Sequence, residues 1–88
     1  MNSKVYIFHS DAGHGWLAVK AAELIEHSLF GEISSYSYQR GQTVYLEEDS
    51  DAPKFLSALK AKGIEYKIRQ AMYRERSPIR SYARYPGN

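Results

Sequence analysis

The sequence predicts a single α+β domain, in which two helices cover one face of a mainly antiparallel β-sheet. Short stretches rich in β-branched and aromatic residues alternate with turn residues, and two longer stretches repeat apolar residues at helical spacing. The 88 residues suffice for one domain with a small core. Because the periodicity ends near residue 72, we predict a domain at residues 1–72 and a basic, tyrosine-containing tail at residues 73–88.

The N-terminal third predicts a strand, a turn and a helix. Residues 5–8 read Val-Tyr-Ile-Phe, which is typical of a strand, and residues 11–15 hold two glycines and an aspartate, which are typical of a turn. Residues 16–19 fit either a second strand or the start of a helix, and the turn composition slightly favours a hairpin. From Lys20 onwards, apolar and small residues recur on one helical face up to a predicted stop at Gly31. That face holds Leu17, Ala21, Leu24, Ile25, Ser28 and Leu29.

The central part of the chain predicts a second hairpin. Residues 33–39 and 43–48 both read as strands, and they flank an Arg-Gly pair at residues 40–41. If this pair forms the tight loop, Tyr36 lies opposite Tyr45 on the neighbouring strand.

The second helix has the clearest boundaries in the sequence. Residues 49–51 offer helix N-caps, Pro53 suits the first turn, and Gly63 supplies a left-handed stop. Residues 64–69 then alternate between apolar and charged side chains, which predicts a last strand. The element order is β(β)αββαβ, which is ferredoxin-like without the optional strand and a hairpin-extended variant with it. The buried stripe of the second helix is predicted to be Phe55, Leu56 and Leu59.

Strand alternation predicts two different faces of the sheet. The helix-covered face is predicted to hold Val5, Ile7, Val44, Leu46, Ile64, Tyr66 and Ile68. The other face is predicted to hold Tyr6, Phe8, Tyr36, Tyr38, Tyr45, Lys67 and Arg69. Aromatic rings beside Lys and Arg are typical of surfaces on which unpaired bases stack, so Tyr36, Tyr38 and Tyr45 are candidates for stacking. The same tyrosines equally suit packing under the tail or an interface in a homodimer.

Positive charge is concentrated at the C-terminal end. Residues 67–88 hold six bases and one acid, a net charge of +5, whereas residues 1–66 hold six bases and nine acids, a net charge of −3. An arginine-rich segment with tyrosines suits phosphates or carboxylates, so the predicted partner is nucleic acid or an acidic protein surface. Folding back onto the acidic run at residues 47–51 is a third alternative. The candidate binding residues are Lys67, Arg69, Tyr73, Arg74, Arg76, Arg80, Tyr82, Arg84 and Tyr85.

Few residues point to catalysis. The chain has no cysteine, which excludes disulfides and thiolate chemistry. His9, Asp11 and His14 suit a metal ion or proton transfer, but metal sites normally need further ligands at recognisable spacing, and turn formation explains Asp11 equally well. No cofactor is therefore expected, and a small metal-dependent enzyme ranks behind a binding protein. No apolar stretch is long enough for a signal peptide or a membrane span, which predicts a cytoplasmic protein without a membrane partner.

Three stretches of the sequence also carry a resemblance. Residues 14–19, residues 33–39 with 44–49, and residues 77–82, which read Ser-Pro-Ile-Arg-Ser-Tyr, resemble a family of short proteins carried by bacteriophages and other bacterial mobile elements. The resemblance implies a bacterial host cell and a protein that acts by binding, either to nucleic acid or as an inhibitor or adaptor on a host protein such as a defence-system component. It assigns no site residues. Nucleic-acid binding is our first hypothesis and a protein-directed inhibitor or adaptor the second.

Overall fold

A computed structural model describes residues 4–86 of the chain as six strands, two α-helices and two short 3₁₀ helices. The strands and α-helices are β1 (Lys4–Ser10), β2 (Gly15–Lys20), α1 (Ala21–Glu26), β3 (Tyr38–Arg40), β4 (Thr43–Glu47), α2 (Asp51–Ala61), β5 (Tyr66–Gln70) and β6 (Ala83–Arg84). The 3₁₀ helices are Phe30–Glu32 and Pro78–Ser81. The α+β class is confirmed. No helix in the described range has the length and apolar character needed to cross a bilayer.

The six strands form one mixed sheet in the order β5-β1-β2-β4-β3-β6. β1 and β2 form the antiparallel hairpin that the turn composition favours, with Phe8 opposite Leu17. β2 pairs antiparallel with β4, so β4 runs in the same direction as β1. The chain then returns through α2, and β5 pairs parallel with β1. The sheet is therefore not purely antiparallel, and the ferredoxin-like arrangement is not confirmed.

Both helices pack on one face of the sheet and form the main hydrophobic core with it. Leu24 of α1 and Phe55 and Leu59 of α2 are fully buried, and Leu56 is partly buried against them. Burial of large apolar side chains is the main favourable term in folding, at about 1.5–3 kcal/mol for each fully buried one. The sheet contributes buried side chains that include Tyr6, Leu17, Val19, Val44 and Leu46.

The predicted faces are correct for β4 and reversed for β1. Val44 and Leu46 lie under the helices as expected, but Val5 and Ile7 are exposed on the other face. Tyr6 takes their place in the core, where its ring packs edge-on against Phe55 at a centroid distance of 5.3 Å. The Tyr6 hydroxyl donates to a Glu23 carboxylate oxygen at 2.7 Å, so a polar tip reaches the rim of the core while the ring stays buried. Burial, followed by this hydrogen bond and the nearby negative charge, raises the Tyr6 pKa far above its ordinary value.

The remaining strands show the same mixture of correct and incorrect faces. Ile64 and Tyr66 pack against the core as predicted, and Lys67 and Arg69 are exposed on the opposite face beside Val5 and Ile7. Phe8 packs against the core, which corrects its predicted position on the open face. The set on the open face at β3 and β4 includes Tyr38, Arg40 and Tyr45.

The second hairpin differs from the prediction in length and register. The strand predicted at residues 33–39 is restricted to Tyr38–Arg40, and Tyr38 rather than Tyr36 lies opposite Tyr45. The loop consists of Gly41 and Gln42, with Gly41 at φ +59° in the first loop position, where type II′ turns favour glycine. The reversal thus starts one residue later than predicted, which shifts the cross-strand partners by two.

The missing part of β3 is explained by side-chain hydrogen bonds to a buried carboxylate. Oδ2 of Asp51 accepts hydrogen bonds from the Ser34 backbone N–H at 3.0 Å, the Ser34 hydroxyl at 2.7 Å and the Ser37 hydroxyl at 2.6 Å. These bonds hold residues 34–37 in a turn at the start of α2 instead of a strand. Asp51 is therefore not a helix N-cap, and Glu47 instead accepts from the N–H groups of Asp49 and Ser50, both at 2.9 Å.

The two helix ends were predicted with different success. Gly63, at φ +69°, follows α2 as the expected left-handed residue. α1 ends at Glu26, five residues before Gly31, because Ser28 adopts φ +59° and Leu29 donates its N–H to the Leu24 carbonyl at 2.7 Å.

Candidate functional site

The C-terminal segment is folded against the rest of the chain, and one ion pair fastens it. Arg80 donates from Nε and Nη2 to the two carboxylate oxygens of Asp11, at 2.6 and 2.8 Å. The same carboxylate accepts the backbone N–H groups of Ser77 at 2.9 Å, Gly13 at 3.0 Å and His14 at 3.1 Å. The Arg80 hydrogen bonds, supported by those from the backbone, hold the Asp11 pKa well below its usual range although burial opposes them. We call this arrangement the Asp11–Arg80 clasp.

The clasp changes the interpretation of the cluster that was predicted as a metal or proton-transfer site. Asp11 is a fully buried acceptor that is ionised at neutral pH and bound to Arg80, which suits neither a proton-transfer group nor a metal ligand. His9 and His14 pack separately, the first beside Tyr45 and the second beside Trp16, and burial lowers the His9 pKa. Across residues 4–86, no three His, Asp or Glu side chains are grouped as metal ligands.

Two tyrosines of the predicted binding surfaces pack against each other, with their rings tilted by 51°. The rings of Tyr45 on β4 and Tyr82 in the tail lie 5.3 Å apart, and the Arg40 guanidinium covers the Tyr82 ring at 5.1 Å. Burial raises the pKa of Tyr45. The tail therefore covers the central part of the tyrosine-bearing sheet face, as the packing alternative anticipated.

A third tyrosine, Tyr85, belongs to the main core. It is only 4% exposed, its ring packs against Phe30 at 5.5 Å, and its hydroxyl donates to the Phe30 carbonyl. Its backbone N–H donates to the Ser37 carbonyl at 2.9 Å. Burial, with a smaller effect of the Asp51 charge, raises its pKa. Tyr85 thus anchors the tail, and its side chain is not available to a partner.

Four predicted cations remain free and exposed in the segment of residues 67–76. The side chains of Lys67, Arg69, Arg74 and Arg76 are exposed and have no hydrogen bond or ion pair within the described residues 4–86. We call these four residues the basic strip. Glu75 is the only acid among residues 67–76. The four cations of the strip therefore outnumber the acids of the same segment, and the potential of the strip is positive.

Backbone hydrogen bonds hold the basic strip in place. The Ala71 N–H donates to the Phe8 carbonyl at 2.9 Å, which extends the pairing of β5 with β1, and the Ala12 N–H donates to the Glu75 carbonyl at 3.4 Å. Directly after the strip, Ser77 is tied to Asp11 by the clasp. Two large exposed side chains, Met72 at 87% and Tyr73 at 59%, lie in the chain between the two pairs of strip cations. The cations are thus presented on a fixed backbone together with an aromatic ring.

The other predicted residues meet at a groove on the same sheet face as Lys67 and Arg69, near the opposite edge of the sheet. The groove has a volume of about 600 Å³. Its floor contains Trp16, which is 2% exposed and has the Arg80 guanidinium over its ring at 5.5 Å. Arg84 lies over the Tyr38 ring at 5.2 Å and donates to the Ser35 carbonyl at 3.1 Å. We call this the aromatic groove; its lining consists of His14, Trp16, Ser34, Tyr36, Tyr38, Glu47, Ser50, Arg80 and Arg84.

The sequence indicated most of these residues but not their grouping. The tail and the stacking tyrosines were predicted as two surfaces. The structure divides them into the basic strip, the aromatic groove, the half-buried pair Tyr45 and Tyr82, and buried Tyr85. Met72 and Trp16 were not predicted as site residues. Exposed Met72 carries no sequence signal of its own, and the pairing of Asp11 with Arg80 joins residues too distant in the chain for any local pattern.

Comparison with known proteins identifies no relative: neither a protein-family model, nor a curated protein, nor a solved structure matches this chain. A function for the chain consequently has to be inferred from the side chains that its fold leaves exposed and unpaired.

Proposed function

We propose that the protein is a non-catalytic nucleic-acid-binding protein, which holds the phosphate backbone with the basic strip. The observation that carries the proposal is the set of four exposed, unpaired cations at Lys67, Arg69, Arg74 and Arg76. Cations that are already paired within a protein gain little from a phosphate, whereas free ones release counterions from the nucleic acid when they bind. Three of the four are arginines, whose planar guanidinium groups bind phosphate oxygens in pairs.

The geometry of the strip supports contact with successive phosphates. Lys67 and Arg69 project from the same face of β5, about 6.6 Å apart along the strand. Arg74 and Arg76 follow on a segment that backbone hydrogen bonds hold against β1 and the first turn. Exposed Tyr73 lies between the two pairs and offers a ring on which a base can stack. Because the backbone is already fixed, less conformational entropy is lost when the protein binds.

A protein partner is the second candidate. The observation that favours it is the apolar surface beside the strip, where Met72 is largely exposed and Val5 and Ile7 lie next to Lys67 and Arg69. Methionine, aromatic residues and arginine are enriched in protein interfaces. This combination fits an inhibitor or adaptor that binds an acidic surface of a host protein. Its binding is expected to tolerate salt better than binding to phosphates does.

The proposal predicts a salt-dependent affinity that depends on the strip. We expect labelled single-stranded DNA and RNA to bind at low salt, with the logarithm of the binding constant falling linearly as the logarithm of the salt concentration rises. The paired substitutions K67Q/R69Q or R74Q/R76Q should each reduce that slope by about 1.4, because about 0.7 is lost for each single-strand phosphate contact. Fluorescence anisotropy over a salt series measures both quantities.

A matched control is available on the other face of the sheet. The substitution pair K54Q/K60Q removes the same number of charges from exposed positions on α2, where Lys54 also donates to the Glu32 carbonyl at 2.7 Å. It should leave the salt slope unchanged within error. Equal losses in the control and the strip variants would show that only net charge matters, and absence of binding at low salt by the unaltered protein would exclude nucleic acid.

A further inference from the structure

We infer that the aromatic groove holds one unstacked nucleobase, which gives the protein a preference for single-stranded over double-stranded nucleic acid. This inference rests on the proposed function and assigns a second contact surface to it. A base that is paired and stacked within a duplex cannot enter such a groove, whereas a single strand can turn one base out at little cost.

Tyr36 provides the exposed ring of the groove. It is 69% exposed and lies in the lining of the groove. Its backbone N–H donates to the Ser34 hydroxyl oxygen at 3.2 Å, and that hydroxyl donates to the buried Asp51 carboxylate at 2.7 Å. The backbone under Tyr36 is therefore fixed to the start of α2. An aromatic ring on a rigid backbone stacks on a base of any sequence, since every base has a flat face.

Arg84 provides an oriented cation in the lining of the groove. Its guanidinium lies over the Tyr38 ring and uses one N–H to donate to the Ser35 carbonyl. A guanidinium has five N–H donors, so donors remain for the phosphate that is attached to the bound nucleotide. The outer face of the guanidinium can also stack on a base.

The charge balance of the groove favours a base rather than a free anion. Arg80 is neutralised by Asp11, and the lining of the groove also holds one acid, Glu47, whose charge is opposite to that of Arg84. A small anion therefore finds little net positive potential here. The stacking surfaces remain, and they make the groove a site for a planar ring attached to a single phosphate.

The location of the groove connects it with the basic strip. The groove lies at β3 and β6, and the strip begins on β5, four strands away from β3 in the sheet. At about 4.8 Å for each strand spacing, the separation is roughly 19 Å. Small domains that bind single strands commonly cover about 4–16 nucleotides, so one oligonucleotide reaches both surfaces. A linked second contact of this kind raises the overall affinity even when it is weak alone.

The test compares a thymidine decanucleotide with a duplex of ten base pairs, and the full chain with its Y36A and Y36F variants. Tyr36 is exposed, so neither substitution is expected to affect folding. We expect Y36A to bind the single strand about tenfold more weakly and the duplex within twofold of the unaltered protein, and Y36F to behave like the unaltered protein. Thymidine monophosphate provides a separate readout, since a ring in the groove should change the emission of Trp16, the only tryptophan in the chain.

The outcomes separate this inference from the proposed function. If Y36A weakens binding to the single strand and to the duplex equally, or weakens neither, the groove is not a site for a base. The proposed function would still stand in that case, provided that the strip variants reduce the salt slope. If no oligonucleotide binds in a salt-dependent manner, the proposed function fails, and the groove inference fails with it. A saturable Trp16 response to thymidine monophosphate that persists in Y36A would place the nucleotide elsewhere and also overturn the inference.

Discussion

Substitution of Asp11 by alanine is expected to lower the free energy of unfolding by about 3 kcal/mol, because it breaks a buried ion pair. The change removes the acceptor of five hydrogen bonds, two from Arg80 and three from backbone N–H groups. The N–H group of Ser77 is buried at the start of the Pro78–Ser81 helix, where water replaces the lost acceptor poorly, whereas those of Gly13 and His14 lie in a more exposed turn. Urea denaturation followed by Trp16 emission measures the loss.

A comparison of variants isolates the clasp from general effects. D11N keeps the size of the side chain and some acceptor capacity, so it should lie between the unaltered protein and D11A. In a double-mutant cycle, R80Q combined with D11N is expected to cost clearly less than the sum of the two single changes, since either one breaks the same pair. Additive losses would mean that Asp11 and Arg80 stabilise the fold independently.

The pH dependence of the clasp follows from the lowered pKa of Asp11. Because the folded-state pKa lies below the unfolded value of about 3.9, the stabilisation is fully present above that value and is lost as the pH falls through the folded-state pKa. The difference in unfolding free energy between the unaltered protein and D11N should therefore be constant from about pH 5 to 8 and shrink only below about pH 4. A difference that varies around neutral pH would contradict this assignment.

Ending the chain after Met72 is expected to abolish cooperative folding and not merely binding. The deletion removes buried Ile79 and Tyr85, worth about 1.5–3 kcal/mol each, together with the Arg80 half of the clasp. A domain of this size has about 5–15 kcal/mol of net stability, so the combined loss is comparable with the whole. Thermal unfolding by circular dichroism would show a broad transition without a native baseline.

Two tyrosine substitutions provide a matched pair for this prediction. Y85A removes a ring buried in the main core and should cost about 3 kcal/mol, whereas Y73A removes an exposed ring and should stay within about 0.5 kcal/mol. If the shortened chain melts like the full one, the segment after Met72 is a dispensable appendage. Until that is measured, loss of binding on truncation does not identify the tail as the binding surface, and the strip variants are the better test.

The candidate site was predictable as a composition but not as a surface. The sequence shows an excess of arginine and tyrosine after residue 66, and most of these residues do line the strip or the groove. Which of them are free depends on contacts with distant residues. Arg80 is bound to Asp11 and Tyr85 to Phe30, whereas Arg74 and Arg76 meet no acid within the described part of the chain.

The sequence by itself determined the elements whose signals are local. α2 follows from its apolar spacing and Gly63, and β-branched residues around a glycine-containing turn slightly favoured the first hairpin over a helix start at residues 16–19. Neighbouring residues supply the interactions that form each of these elements. The α+β class follows from the order of these elements.

Only the tertiary structure decided the face of β1, the register of β3 and the position of the tail. Alternation gives the period of a strand but not its phase, so packing of Tyr6 on Phe55 selected which residues of β1 are buried. Hydrogen bonds to Asp51 hold Ser34 and Ser37 outside β3, and the ion pair with Asp11 fixes the position of Arg80. Each of these contacts joins residues far apart in the chain, and its free energy exists only once the fold has brought the partners together.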